Sequence, residues 1–584
     1  MVSLATRLAI EEDQFSAVGN QPREAHVAEA YLTQPSLSAE QFTRLSQSLP
    51  EPLADFLRDK RWFGGKARLI RAIHIEDIVP LAHMTSQTIV AFARVAYEEG
   101  QHETYAIPLL TQKSADGNAF STNGELSGLE LNVIPLNDAL RRPEVLRSFY
   151  EAIERKSFFP GWNGEIQAFQ TIAFPGISLP AGDSSQPKLI SSEQSNSSSI
   201  FGNRSILKVF RRVQEGINPE LEVGRFLTER AHFRHVPPLG GWLEYRTSSG
   251  SLMTLGVLQG FVANEGDAWQ YTLKSISGFW REALNSFSRD SNSFASTDIH
   301  DPDDGDAPAI AREICGPYLD RIALLGQRTA EMHIALASDN ADLAFAPEPY
   351  TAGFQHQLES SLSSNAIQTF DLLRSQLPRL SPDLQEHAQA VVARNDEILN
   401  SIHETLRSPL SGLRTRIHGD YHLGQILCTA DDFVIIDFEG EPGRPIADRI
   451  VKRSALQDVA GMLRSFHYAA FAPLLTKLSG VESPDGDDSK LFALAEHWNR
   501  WVSRSFLNTY FRVASSSKFL PANKSEIASL LRLNLMAKAL FEVSYELNNR
   551  PDWVRIPLAG VLQLLDQSDA VLPEFLQQKK GQAS

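Results

Sequence analysis

The chain has 584 residues, a formal net charge of -16 and a mean hydropathy of -0.22, with 42% hydrophobic residues. That length calls for two to four packed units, and the acidic balance argues against nucleic acid or an anionic membrane as a partner. Two cysteines, Cys315 and Cys428, cannot build a disulfide framework, and no apolar run has the length of a membrane span, so a cytoplasmic setting is expected.

In chain order, residues 1–48 are polar and mixed and are expected to form an extension or linker. Residues 49–132 are expected to form a small α+β cap. Leu53, Phe56 and Leu57 have helical spacing, Trp62 to Lys66 makes an abrupt turn, and strand-like alternation follows in 73–78, 88–97 and 103–109. Trp62 and Phe63 are read as core anchors.

Residues 133–264 have the layout of a nucleotide-binding lobe. A helix starting at Pro143 and a strand over 164–169 precede the hydroxyl-rich stretch Gln194, Ser195, Asn196, Ser197, Ser198, Ser199, which leads into the strand Ser205–Phe210 with Lys208 at its centre. Exposed backbone N–H groups and serine hydroxyls can cradle phosphate oxygens as a glycine-rich loop does. A linker of the same composition would not lie between two apolar strands. Lys208 needs an acid, and the helix begun by Asn218-Pro219 offers Glu222, with Glu220 as second choice. After the strand 252–258, the backbone of Gln259, Phe261 and Val262 is placed to meet an adenine edge.

Residues 265–584 read as a helical lobe, with an acidic Ser/Asp/Asn-rich insertion at 285–309 expected to be disordered. Helices are predicted over 318–337, 384–406, 491–511 and 526–548. The exception is Arg416 to Glu441, RIHGDYHLGQILCTADDFVIIDFEGE, in which apolar runs flank the turn signal Thr429 to Asp432 and predict a β-hairpin. Asp420 precedes the hairpin, Gln425 opens its first strand and Asp437 follows its second. H-G-D-x-H-x-x-Q followed by D-F-E has the spacing of a kinase catalytic loop and metal-binding loop. Asp420 is suited to accept a proton from a hydroxyl, and Gln425 with Asp437 to hold Mg²⁺ through hard oxygens beside ATP. Asp458 is read as a buried acid bracing the backbone near His418. Glu542, Tyr545, Glu546 and Arg550, before Trp553, form the kind of polar and aromatic cluster a sugar site uses.

HGDYHLGQIL, IIDFEGEPGRPIADRIVKRSALQDVAGMLRSFHYAA, YELNNRPDWVRIPLAG and the early RWFGGKAR resemble bacterial maltokinases, a group also found fused to trehalose synthase. The resemblance runs from about residue 50 to the end. It implies an α+β, two-lobed protein-kinase-like fold of the aminoglycoside-phosphotransferase branch, with an N-terminal cap and a mostly helical C-lobe. It implies ATP-dependent phosphorylation of maltose at the anomeric hydroxyl, giving maltose 1-phosphate for glucan synthesis, and association with trehalose synthase. Under it, Asp420 resembles the base, Gln425 and Asp437 the Mg²⁺ ligands, and Glu439 a further acid facing metal or sugar. Lys208 with Glu222 resembles the phosphate-holding pair, and Tyr545, Glu546, Arg550 and His422 the disaccharide-reading residues. Two alternatives stand beside it: a kinase of the same fold acting on glucosamine or another acceptor, and a non-catalytic partner of a glucan enzyme.

Overall fold

A computed structural model describes residues 37–60, 62–83, 86–110, 138–183, 185–190, 196–287, 309–476 and 488–566. The chain divides into two units, one running to Leu221 with Leu239–Phe261 added, the other comprising Glu222–Pro238 and the chain from Val262. No described helix is long and apolar enough to cross a membrane.

The first unit opens with helices α1 (Ala39–Ser48) and α2 (Pro50–Arg58). A capping box starts α1, in which the Ser38 hydroxyl accepts from the Gln41 N–H and the Gln41 side chain accepts from the Ser38 N–H. Long antiparallel strands β1 (Ile70–His83), β2 (Ser86–Tyr97) and β3 (His102–Leu110) follow, with helix α3 (Pro143–Arg155) beyond them. The second sheet uses β4 (Phe158–Pro160), β5 (Gly164–Gln170), β6 (Lys188–Leu189), β7 (Asn196–Phe201) and β8 (Ser205–Phe210). After β9 (Arg212–Val213), which joins the first sheet beside β3, helix α4 (Pro219–Glu229) leads to β10 (Leu239–Thr247) and β11 (Leu252–Gly260). The second sheet has the order β4-β5-β10-β11-β8-β7-β6. Strand β10 is absent from the sequence reading.

Most of the expected hydroxyl-rich loop is strand, which corrects the reading of Asn196, Ser197 and Ser198. These residues pair in register with Phe210, Val209 and Lys208. The reason lies in the turn after them, where Gly202 (φ 53°) and Asn203 (φ 51°) both adopt the left-handed region required at the two centres of a type I′ turn, closed by the Arg204 N–H on the Phe201 carbonyl at 2.9 Å. Gln194 and Ser195 lie outside the described residues.

Asp77 is the fully buried polar anchor of this unit. Its Oδ1 accepts from the N–H groups of Ile78 (2.7 Å), Trp162 (2.7 Å) and Asn163 (3.0 Å), and its Oδ2 from the Tyr245 hydroxyl (2.8 Å). Asp77→Ala strands all four donors and is expected to lower stability by about 3 kcal/mol or more, measured by urea unfolding.

The second unit is built of α5 (Ala268–Phe287), α6 (Ala309–Leu336), α7 (Ala352–Gln376), α8 (Pro382–Ala393), α9 (Asn395–Leu406), α10 (Leu456–Thr476), α11 (Asp488–Ala514), α12 (Lys524–Asn549) and α13 (Arg555–Asp566). The insertion expected at 285–309 is helical at both edges, and residues 288–308 lie outside the described residues. The pattern expected as one helix over 384–406 is two, interrupted at Arg394. Helix α7 lies in the stretch read as helical but has no bounds in that reading, because its serine-rich face masks its periodicity. One continuous apolar core joins these helices to the hairpin β12 (Ile426–Cys428) and β13 (Phe433–Ile435).

Candidate active site

The hairpin pairs Ile426 with Ile435 and Cys428 with Phe433, and Ile426, Cys428, Phe433 and Ile435 sink into the core. Gln425 does not open the first strand as expected but closes a 3₁₀ turn, Leu423–Gln425, whose first N–H groups are capped by His422: its Nδ1 accepts from the Gly424 N–H at 3.0 Å. The two flanking loops are tied together. The Ile436 N–H donates to the Gln425 carbonyl (3.0 Å), and His418 Nε2 donates to the Ile436 carbonyl (2.9 Å). Gln425 Nε2 donates to Asp437 Oδ2 at 2.9 Å. Asp437 has φ 67°, a left-handed backbone that is costly for a residue with a Cβ and that clusters at functional sites.

Behind the loop, Asp458 at the start of α10 is fully buried. Its carboxylate accepts from the N–H groups of His418 (2.7 Å) and Gly419 (3.0 Å) and from His333 Nε2 (3.1 Å), while His333 Nδ1 accepts from the Tyr510 hydroxyl (2.9 Å). Burial alone would raise this carboxyl; the His333 donor and the backbone amides outweigh it and hold it below the ordinary carboxylate range. Gly461, one turn further on, lets α10 approach the loop, since a Cβ there would lie 2.6 Å from the Tyr421 carbonyl oxygen.

Asp420 opens into a cavity of about 510 Å³ walled by α7, α9 and α12. Lys538 Nζ stands 3.7 Å from Asp420 Oδ1, and His422 Nε2 4.0 Å from Oδ2. At the rim Arg444 Nε donates to Glu441 Oε2 at 2.6 Å. The remaining polar walls are neutral amides and hydroxyls, among them Asn365, Gln368, Thr369, Asn534, Ser544 and Asn548, with Leu533, Leu540 and Phe541 as apolar floor.

The structure therefore brings Asp420, His422, Gln425 and Asp437 to one end of the hairpin. Other expected residues are placed differently. Glu222 Oε2 accepts from Arg416 Nη2 at 2.5 Å, a partner in the loop before Asp420 that the sequence reading does not name. Burial drives the Arg416 guanidinium below its ordinary value, and Glu222 counters that. Glu220 is buried in the first unit and accepts from Gln259 Nε2 at 2.8 Å. Lys208 stands on β8 across from Ser198 and Val257. The Ser197 hydroxyl, expected at a phosphate, is taken by the buried Arg211 at 2.8 and 3.0 Å. The Phe261 N–H donates to the Arg204 carbonyl, and the Val262 carbonyl accepts from Asn264, so these two groups expected at an adenine are engaged within the chain. Glu439 is buried and lies 4.0 Å from Arg449.

Glu546 and Arg550, expected to read a sugar, are bonded to each other, Glu546 also accepts from the Tyr468 hydroxyl, neither is among the residues lining the cavity, and Tyr545 is half exposed on α12. Residues two apart on a helix point about 200° from each other, so Ser544 can line the cavity while Glu546 faces the core. Lys538 went unnoticed in the sequence; the signal is the polar stripe Asn534, Lys538, Ser544 and Asn548 along one side of its helix.

Gln425 and Asp437 present an amide and a carboxylate in direct contact, a hard-oxygen donor set that suits Mg²⁺. Among the described residues no group of three or more His, Cys, Asp or Glu is placed to hold a metal. A nucleotide-bridged Mg²⁺ does not need one, because phosphate oxygens and water complete its shell.

The fold is a kinase-like α+β fold of two lobes. It is similar to a glucosamine kinase solved with glucosamine, ADP and inorganic phosphate, at a TM-score of 0.56 and 18% identity over 86% of this chain and 97% of that one. The chain is 27% identical over 247 residues to a glucosamine kinase of Streptacidiphilus jiangxiensis, spanning 42% of this chain and about half (49%) of that relative's length. It is 24% identical over 386 residues to a glucosamine kinase of Mycolicibacterium smegmatis, spanning 65% of this chain and 79% of that relative. No family model matches.

Proposed function

We propose that the protein is an ATP-dependent sugar kinase whose acceptor is neutral, with maltose phosphorylated at its anomeric hydroxyl. The observation that carries the reading is Asp420 at the mouth of a cavity whose charges are already paired, Lys538 against Asp420 and Arg444 against Glu441, and whose other polar groups are uncharged. Amides and hydroxyls match the hydroxyls of a saccharide, and leucines with Phe541 match its apolar faces. An aminosugar's ammonium would find there only carboxylates already matched by Lys538 and Arg444, so the relatives' glucosamine gains no ion pair as acceptor here. The wall supplied by α12 runs from Leu533 to Asn548, about 22 Å at 1.5 Å per residue, which gives room for more than one sugar ring.

In this mechanism Asp420 orients the acceptor hydroxyl and accepts its proton as its oxygen bonds to the γ-phosphorus and the bond from that phosphorus to the β,γ-bridging oxygen breaks, ADP leaving, while Lys208 holds the ATP phosphates. Mg²⁺ held by Gln425 and Asp437 would neutralise charge on the phosphate oxygens. A coupled ATP-consumption assay with maltose, glucose, trehalose and glucosamine tests the reading. The expected result is a kcat/KM for maltose at least tenfold above that for glucosamine; the reverse order would refute the neutral-acceptor assignment. Association with trehalose synthase belongs to the same proposal and is testable by co-purification of the two proteins.

A further inference from the structure

Two helices that meet the catalytic apparatus at different points are joined by a buried polar ladder. On α10, Arg464 and Tyr468 stand one turn apart; on α12, Glu542 and Glu546 do the same. Arg464 Nε donates to Glu542 Oε2 at 2.8 Å, Nη2 lies 2.7 Å from the same oxygen as an ion-pair contact, and the Tyr468 hydroxyl donates to Glu546 Oε1 at 3.1 Å. Arg550 closes the second rung, donating to both Glu546 oxygens at 2.9 and 2.7 Å. Arg464, Glu542 and Glu546 are 4%, 8% and 1% exposed, so these charges have no recourse to water. Gly560 on α13 makes room for the guanidinium, since a Cβ there would lie 2.2 Å from Arg464 Nη1.

Both rungs join residues separated by the same sequence distance, so the helices run parallel in a single register. Apolar faces alone tolerate rotation or a small slip. A slip here would leave the Glu542 carboxylate and the Arg464 guanidinium buried without each other and would take the Tyr468 hydroxyl off Glu546, a far larger penalty. The same helix α10 begins with Asp458, which holds the backbone next to Asp420, and α12 carries Lys538 and Phe541 on the cavity wall.

Building on the proposed sugar-kinase reading, we infer that Glu542 and Glu546 are positioning residues: through α10 they fix the rotation and height of α12, and so the distance between the acceptor wall and Asp420. Glu542→Gln, Glu546→Gln and the double apolar variant R464M/E542L test this. The double variant removes a buried ion pair as a unit, a change that folded proteins often tolerate. Each variant is expected to lose about tenfold or more in kcat/KM for the sugar, with KM for ATP unchanged. Amide hydrogen exchange is expected to quicken in α12 around 533–548 while α11 keeps its wild-type rate, a readout that does not depend on which acceptor is used or on turnover. Unchanged sugar kinetics with only a lowered Tm, or exchange that is unaltered or quickens evenly through the whole unit, would overturn the inference. Failure of maltose as substrate with the local exchange change intact would instead strike the acceptor assignment.

Discussion

Asp420→Asn is expected to lower kcat by about 10² to 10⁴-fold, the usual worth of a positioned general base, with little change in KM for the sugar. The substitution keeps the side chain's size and its oxygen toward the cavity but removes the ability to accept a proton. Asp420 is held where it acts by its surroundings: Gly419 before it takes φ 86°, its own N–H reaches His418 Nδ1 at 3.4 Å, and Lys538 places positive charge 3.7 Å from the carboxylate. None of those contacts needs a second carboxylate oxygen, so folding and acceptor binding should survive. Steady-state kinetics with maltose and ATP check both halves of the statement. Turnover near the wild-type rate would remove Asp420 from the chemistry, and a sugar KM raised without loss of kcat would make it a binding residue.

Asp458→Leu is expected to produce the largest combined loss, on the order of 3–5 kcal/mol of stability together with most of the activity. The leucine would strand the N–H groups of His418 and Gly419 and the Nε2 donor of His333 in a fully buried site. Because His418 also fixes the Ile436 carbonyl, the disturbance reaches Asp437 as well as Asp420. Urea unfolding and kcat measured on the same samples check it. The sign of the pH dependence follows from the depressed carboxyl. Its contribution is fully present above the unfolded value of about 3.9 and is lost as pH falls through the lower folded value. Asp458→Asn should therefore flatten the acid limb of the stability profile, and an unchanged acid limb would show that another carboxylate governs it.

Much of this was legible along the chain. The hairpin and its flanking acids, the strand carrying Lys208, the helix started by Pro219 and the place of Asp458 in the first turn of an apolar helix all follow from local pattern, because turn chemistry, period-two alternation and helix starts act over a few residues. The Gly202-Asn203 turn was also written in the sequence, and read correctly it converts a supposed serine loop into a strand. Partner choice was not legible. Glu222 and Glu220 are two positions apart, and only packing assigns one to Arg416 and the other to Gln259.

The amino-acid sequence by itself determined which chemistry is on offer here: a carboxylate, an amide and a second carboxylate set around a hairpin, in an acidic chain poor in cysteine. Tertiary structure alone decided which side chains face the cavity beside Asp420. Ser544 and Glu546 are nearly adjacent in sequence, yet the first lines the cavity and the second is locked to Arg550 and Tyr468. A helix carries candidates all around its circumference, and the face that becomes a site is set by what its other faces must bury.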